Sequence, residues 1–314
     1  MKLASLKEGG RDGTLIVVNR ELTRAVRASS IAATLQLALE DWGNAAPRLN
    51  ALFEELQAGK RADAFALDFE ALASPLPRAY EFVDGSAYLP HVERVRRASG
   101  AEVPESFYTD PLMYQATSAG FLAPRDPILA ASEDWGIDME AEVVVVTDDV
   151  SMGVTPAQAE AHIQLIGLVN DVSLRGLIPG ELAKGFGFLQ SKPRSALSPV
   201  FVTADELGDA WSGCKLHLPI QQARQQHGYG RLATACNVDR FESVFQIAAQ
   251  GKTTARQRHA CTCRARRTEQ QTLAAGDAVA GAGGNVIGGG GVFWGSWFHH
   301  STTLTSLPGT TTTF

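Results

Sequence analysis

Residues 137–146 place three carboxylates directly before an unbroken run of valines. Asp138, Glu140 and Glu142 alternate with other residues, and Val143 to Val146 follow without a break. A β-branched apolar run of this kind predicts a buried strand. Side chains alternate between the two faces of a strand, so the three carboxylates are expected to share one face. Neighbouring carboxylates on that face then lie about 6.6 Å apart, at about 3.3 Å of rise per residue.

Carboxylates at this spacing repel one another. With an effective dielectric constant near 20, two ionised groups about 6.6 Å apart repel by about 2.5 kcal/mol. A hard divalent cation bound by oxygen ligands would remove that repulsion on a buried strand. An edge strand whose acidic face meets water would remove it as well. This segment alone leaves both interpretations open.

The composition favours a soluble globular protein and argues against several other classes. The chain has 314 residues with 45% hydrophobic and 20% charged residues, which is ordinary for a soluble globular protein. A formal net charge of −6 argues against a general nucleic-acid binder. No apolar run is long enough to predict a membrane span, and charges near the start argue against a signal peptide. The four cysteines lack zinc-ligand spacing, so we expect a cytoplasmic protein with reduced thiols.

The first 72 residues predict a small domain of a hairpin and helices. Two strand-like runs, 2–6 and 14–19, flank a turn-rich segment of glycine and charged residues. Residues 29–59 show helical periodicity, interrupted at 41–44. Pro75 and Pro77 then indicate an extended connector into a second, β-rich domain spanning about 73–220.

Several polar residues downstream occupy positions where chemistry could take place. Asp84 and His91 lie seven residues apart in a loop punctuated by glycine and proline, although a capping Asp and a solvated His would give the same pattern. Asp171 closes a second apolar strand, with Arg175 four residues later, which is also typical of a structural ion pair. Lys184 stands in a turn rich in glycine and phenylalanine, where a ligand could approach closely.

Taken together, these segments resemble the fumarylacetoacetate hydrolase family over about residues 1–220. The resemblance rests on three spaced blocks in the family order, at 108–115 (YTDPLMYQ), 137–142 (IDMEAE) and 169–175 (VNDVSLR). It implies an α+β fold, a mixed β-sandwich or roll behind a small N-terminal domain. It also implies a metal-dependent hydrolase that cleaves a carbon–carbon bond in fumarylacetoacetate or a related diketo acid. Isomerases and decarboxylases of the family remain the alternative, as does an inactive remnant.

The resemblance assigns roles to individual residues. It gives the metal, Mg²⁺ or Ca²⁺, to the four carboxylates Asp84, Glu140, Glu142 and Asp171. His91 takes the position of the general base, while Tyr114, Arg175 and Lys184 fall where the family contacts substrate oxygens. Ile178 stands where the fumarylacetoacetases proper have glutamine, which leaves the diketo acid undefined. The expected partner is that small molecule, in a homodimer, without nucleic acid or membrane.

Residues 221–314 differ from the preceding chain. They contain nine Lys plus Arg and four Asp plus Glu, whereas residues 1–220 contain 19 basic and 30 acidic residues. Runs of glycine and threonine are frequent, and hydrophobic periodicity is poor. We predict that this tail is the product of a reading-frame change, loosely packed and unable to supply the missing strands of the sheet.

Overall fold

The structure is a computed structural model that describes residues 1–86, 92–93, 96–97, 100–108, 112–138, 140–212, 215–216, 218–222, 232–236, 258–264, 303–306 and 310–313. His91 lies outside these residues. The α-helices with defined bounds are α1 (Leu35–Glu40), α2 (Trp42–Gln57), α3 (Pro156–Ala159) and α4 (Ile178–Leu182), and residues 92–93 and 96–97 are helical as well. None of them is long and apolar enough to cross a membrane.

Twenty strands accompany these helices in the part of the chain that the structure describes. They are β1 (Lys2–Leu6), β2 (Thr14–Val18), β3 (Arg24–Arg27), β4 (Phe65–Ala66), β5 (Glu81–Ser86), β6 (Leu112–Gln115), β7 (Ile128–Ala130), β8 (Ile137–Asp138), β9 (Ala141–Asp149), β10 (Ile163–Asn170), β11 (Ser173–Leu174), β12 (Ala196–Leu197), β13 (Phe201–Val202), β14 (Trp211–Ser212), β15 (Lys215–Leu216), β16 (Leu218–Gln222), β17 (Leu232–Cys236), β18 (Arg258–Arg264), β19 (Thr303–Ser306) and β20 (Thr310–Thr313).

One mixed sheet runs through most of the molecule, in the order β4-β3-β2-β1-β13-β10-β9-β18-β5-β6, with β12 also paired to β10. Most neighbours are antiparallel, but β18 is parallel to β5. The predicted α+β class and mixed sheet are therefore confirmed. The N-terminal hairpin β1–β2 joins strand β10 of the second predicted domain through β13, so both predicted domains share this sheet.

The helices of the N-terminal part cover one face of this sheet. Thr34 caps α1, where its side chain accepts a hydrogen bond from the backbone N–H of Leu37. Along α2 the buried side chains recur at helical spacing, and they pack in one core with strands β1, β9 and β10: Ala45, Leu49, Leu52, Phe53 and Leu56. The hairpin and the helical region are as predicted, although α2 begins at Trp42, inside the expected break.

The acidic stretch is not one continuous strand. Ile137–Asp138 forms β8 and pairs with β11, whereas Ala141–Asp149 forms β9 and pairs with β10. Glu140 lies between the two strands. Strand alternation therefore does not relate Asp138 to Glu142, because the chain changes partner between them. The valines of β9 are buried as predicted, with Val143 to Val145 0% exposed, so β9 is a central and not an edge strand.

Among its described residues, the tail contributes one strand to this sheet. Strand β18 pairs with both β5 and β9. The expectation that residues 221–314 supply no strand to this sheet is corrected here. Because backbone N–H and C=O groups form the ladder, a segment of almost any composition can occupy the gap between two strands.

Candidate metal and active site

Three buried carboxylates meet beside the central strands. Asp84 comes from β5, Glu142 from β9, and Asp171 directly follows β10. Each of the three offers an oxygen, and these oxygens lie within 4.8 Å of one another. Their exposed fractions are 2%, 1% and 1%. Strands far apart in sequence thus place three anionic groups in one buried position, which is costly unless cations compensate them.

Glu140 lies at the edge of this cluster. Its backbone C=O accepts a hydrogen bond from the N–H of Asp171 at 2.9 Å. Its Oε2 accepts from the ammonium of Lys192 at 3.0 Å, and its Oε1 pairs with the guanidinium of Arg175. Glu140 therefore contacts the cations of the site, while the other three carboxylates form the tight group.

Lys192 is a residue that the sequence interpretation missed. Its side chain is buried, and its ammonium donates to Asp171 Oδ2 as well as to Glu140. The predicted Lys184 is exposed, and among the described residues no bond joins its ammonium to the carboxylates. Lys192 follows Lys184 by eight positions in the same loop, so a family resemblance that allowed this loop a different length would have assigned the role to Lys192.

Arg175 is held at the site by two carboxylates. Its Nε donates to Asp138 Oδ2 at 2.8 Å, and its other end pairs with Glu140. Ser173–Leu174 pairs with Ile137–Asp138, and this short ladder brings Arg175 and Asp138 to the same place. The guanidinium retains further N–H groups in its planar fork for an incoming anion.

Tyr114 closes another side of the cluster. Its hydroxyl donates to Asp84 Oδ2 and lies 3.4 Å from Asp171 Oδ2. Burial raises the pKa of the phenol, and the charges of Asp84 and Asp171 raise it further, so the group remains a neutral donor. The ring of Phe188 packs edge-on against the Tyr114 ring, with centroids 4.8 Å apart.

The charge balance of the site favours a divalent cation. The pKa of Asp171 is raised to about 7. Burial is the largest cause; the ammonium of Lys192 partly offsets it, and the carboxylate of Asp84 adds to it. When these four carboxylates and Asp138, which also pairs with Arg175, are all ionised, Lys192 and Arg175 leave the group with a formal charge of −3. Carboxylate oxygens are the ligands that Mg²⁺, Ca²⁺ and Mn²⁺ prefer. The residues present therefore fit a hard divalent metal ion.

Two protein-family models together match most of the chain. The fumarylacetoacetase N-terminal domain 2 matches residues 1–78. The C-terminal domain of fumarylacetoacetate hydrolases matches residues 81–235, so the similarity reaches beyond residue 220. No curated protein matches the chain.

Solved structures share the fold. The maleylpyruvate hydrolase of Sphingobium sp. SYK-6, solved with manganese(II) and pyruvate, is 12% identical, with a TM-score of 0.53 over 85% of this chain and 89% of that chain. The 5-carboxymethyl-2-hydroxymuconate delta-isomerase of Mycobacterium smegmatis is 13% identical, with a TM-score of 0.52 over 83% and 86%. At these identities the similarity concerns the fold alone.

Proposed function

The chain belongs to the fumarylacetoacetate hydrolase family, and on that premise we propose that it is a metal-dependent hydrolase of a diketo acid. The observation that carries the proposal is the buried group of Asp84, Glu142 and Asp171, flanked by the cations of Lys192 and Arg175. Such a site combines oxygen ligands for a metal with donors for an anionic substrate.

We assign the metal to Asp84, Glu142 and Asp171, with Glu140 at their edge. A bound Mg²⁺, Ca²⁺ or Mn²⁺ would supply Lewis-acid polarisation of a substrate carbonyl. The Sphingobium maleylpyruvate hydrolase binds manganese(II) and pyruvate together in its crystal structure. This supports Mn²⁺ as a metal to test beside Mg²⁺ and Ca²⁺.

The side chains of this protein would then divide the chemistry. His91 takes a proton from water, whose oxygen attacks the substrate carbonyl. Scission of the adjacent carbon–carbon bond leaves its electron pair on the departing fragment, which takes up a proton. The ammonium of Lys192 stabilises the negative charge that develops, and Arg175 binds the substrate carboxylate through its free N–H groups. Lys192 replaces Lys184 in this proposal because only Lys192 reaches the carboxylates.

An activity screen tests the proposal. The protein is stripped with chelator, reloaded with Mg²⁺, Ca²⁺ or Mn²⁺, and offered fumarylacetoacetate, maleylpyruvate and 5-carboxymethyl-2-hydroxymuconate. We expect metal-dependent cleavage of at least one diketo acid, with loss of more than 100-fold in Glu142→Gln. The exposed Glu160→Gln is the matched control and should retain full activity.

The products identify the reaction class. Two carboxylic fragments indicate hydrolysis, while a product of unchanged mass indicates the isomerase alternative. Release of carbon dioxide indicates a decarboxylase. A folded, metal-loaded protein that converts none of these substrates would contradict the proposed function and favour the inactive remnant.

A further inference from the structure

The side chain of Glu181 forms hydrogen bonds with the backbone of the residues that precede Lys192. Its two carboxylate oxygens accept hydrogen bonds from the backbone N–H groups of Leu189, Gln190 and Ser191, at 3.1, 2.7 and 3.1 Å. Its Oε2 also accepts from the hydroxyl of Ser191. One side chain in helix α4 thereby fixes three successive residues on the returning arm of the loop.

Ser191 is held from its other side as well. Its backbone C=O accepts a hydrogen bond from the N–H of Leu174 at 2.8 Å, and Leu174 belongs to β11, three residues after Asp171. Ser191 is 0% exposed. The residue that precedes Lys192 is therefore fixed between the Glu181 carboxylate and the strand that follows the metal-site aspartate.

The tip of the same loop is exposed to solvent. Gly185 and Gly187 both adopt positive φ angles, and Phe186 between them is 98% exposed. Phe188 turns back to pack on Tyr114. Because the tip extends into solvent, the arm that carries Phe188 and Lys192 is anchored by the contacts of Glu181, together with the Leu174–Ser191 bond and the packing of Phe188 on Tyr114.

The carboxylate form of Glu181 makes these contacts. Burial raises the pKa of this carboxyl, but hydrogen bonds from the Ser191 hydroxyl and from three backbone N–H groups outweigh that effect and lower the pKa to about 2. Glu181 is therefore ionised at every pH at which the protein would function.

We propose that Glu181 is a positioning residue for the reaction: it holds Lys192 so that its ammonium faces Glu140 and Asp171. The proposal rests on the proposed function for its kinetic consequence, but not for its effect on metal binding. An ammonium beside two carboxylates of the site repels an incoming cation and stabilises an anionic substrate. Release of Lys192 from this place should weaken turnover and ease metal binding together.

A double-mutant cycle tests the coupling between the two residues. The variants are Glu181→Ala, Lys192→Met and the double variant, with Glu160→Gln as the exposed control. Two quantities are measured for each: turnover of the diketo acid cleaved by the parent protein, and the Mn²⁺ dissociation constant from the electron paramagnetic resonance of free Mn²⁺. Glu181→Gln is added because it keeps the side-chain size and one acceptor oxygen if Glu181→Ala fails to fold.

We expect Glu181→Ala to lower kcat at least tenfold, with KM changed less than threefold, and to tighten Mn²⁺ binding at least twofold. In the Lys192→Met background the same substitution should change either quantity less than twofold, because the group it positions is gone. Equal effects in both backgrounds, or no effect of Glu181→Ala, would overturn the proposal. If the parent protein cleaves no diketo acid, the proposed function fails, while the Mn²⁺ cycle still decides the role of Glu181.

Discussion

The ammonium of Lys192 lies 3.0 Å from Glu140 and also contacts Asp171, so a lysine occupies the position between two carboxylates of the site. These contacts neutralise part of the buried negative charge before any metal binds. A divalent cation bound by these carboxylates would have to enter beside this ammonium. Under the proposed function, Lys192 would therefore link the stability of the metal-free protein to its affinity for metal.

Replacement of Lys192 should lower the stability of the metal-free protein more than that of the metal-bound protein. In the metal-free protein, Lys192→Met leaves the buried Asp171 without its cation, and loss of one partner of a buried ion pair costs about 3–5 kcal/mol. Urea unfolding in chelator should show a loss of this size, reduced when saturating Mn²⁺ supplies the missing charge. The exposed Lys184→Met is the matched control and should change stability by less than about 0.5 kcal/mol. An equal loss with and without metal would contradict this.

Removal of a single carboxylate should weaken metal binding without unfolding the protein. Glu142→Gln keeps the size of the side chain and removes one anionic oxygen ligand from a group of three. We expect the Mn²⁺ dissociation constant, measured by titration calorimetry, to rise at least 100-fold. Glu160→Gln should leave it unchanged, since that side chain is exposed. Wild-type affinity in Glu142→Gln would show that metal binds elsewhere.

The sequence predicted the elements of the site better than their connections. Valine content alone indicated the buried strand β9, because few other structures accommodate four consecutive β-branched residues. It could not indicate that β8 ends at Asp138 and β9 begins at Ala141, because the switch of partner from β11 to β10 depends on strands about thirty residues later. The common face expected for Asp138 and Glu142 was inferred from local periodicity, which carries no information on such a switch.

Lys192 was missed for a related reason. Its only sequence signal is a lysine that follows a serine, with no apolar periodicity around it. Glu181 and the backbone of 189–191 determine its placement, through hydrogen bonds across a loop of about ten residues. Lys184 has the more conspicuous context of glycines and phenylalanines, but that context describes an exposed loop tip. Tertiary hydrogen bonds bring Lys192 to the carboxylates, whereas the role predicted for Lys184 stays a prediction.

Packing between strands β10 and β13 gives a prediction for stability. A Cβ added at Gly167 would overlap the ring of Phe201, a residue that is 1% exposed. Gly167→Ala should therefore destabilise the protein by about 1–3 kcal/mol through overpacking. Gly43→Ala is the control, since its Cβ would meet nothing within 4 Å and alanine favours the helix α2. Thermal unfolding of both variants checks this; equal midpoints would refute it.

The predicted reading-frame change can be tested on the coding DNA. Both alternative frames downstream of the family match, which ends at residue 235, should be translated. We expect one of them to encode a segment like Gly-Thr-Val-Ser-Asn, which the family resemblance implies and this chain lacks. The pairing of β18 with β5 and β9 contradicts the expectation that the tail supplies no strand, but it does not test the frame change, since backbone pairing accepts almost any composition. Absence of the segment from both frames would end the hypothesis.

Metal affinity should depend on pH through Asp171. Burial raises the pKa of this carboxyl to about 7 in the metal-free protein, whereas the unfolded chain loses the proton near pH 4. The metal-free folded state therefore holds a proton that the unfolded state has released, so its stability decreases as pH rises from about 4 through 7. A metal ion binds the ionised carboxylate, and binding below pH 7 must expel this proton.

The expected result is a Mn²⁺ affinity that rises about tenfold per pH unit below pH 7 and levels off above it, because one proton is released per metal bound. Calorimetry in two buffers of different ionisation enthalpy measures the release directly. Asp171→Asn should bind Mn²⁺ more weakly and show no such release, since its amide has no proton to lose in this range. Glu142→Gln is the control: it also binds more weakly, but keeps Asp171 and hence the pH dependence. A proton release that persists in Asp171→Asn would assign the titration to another group.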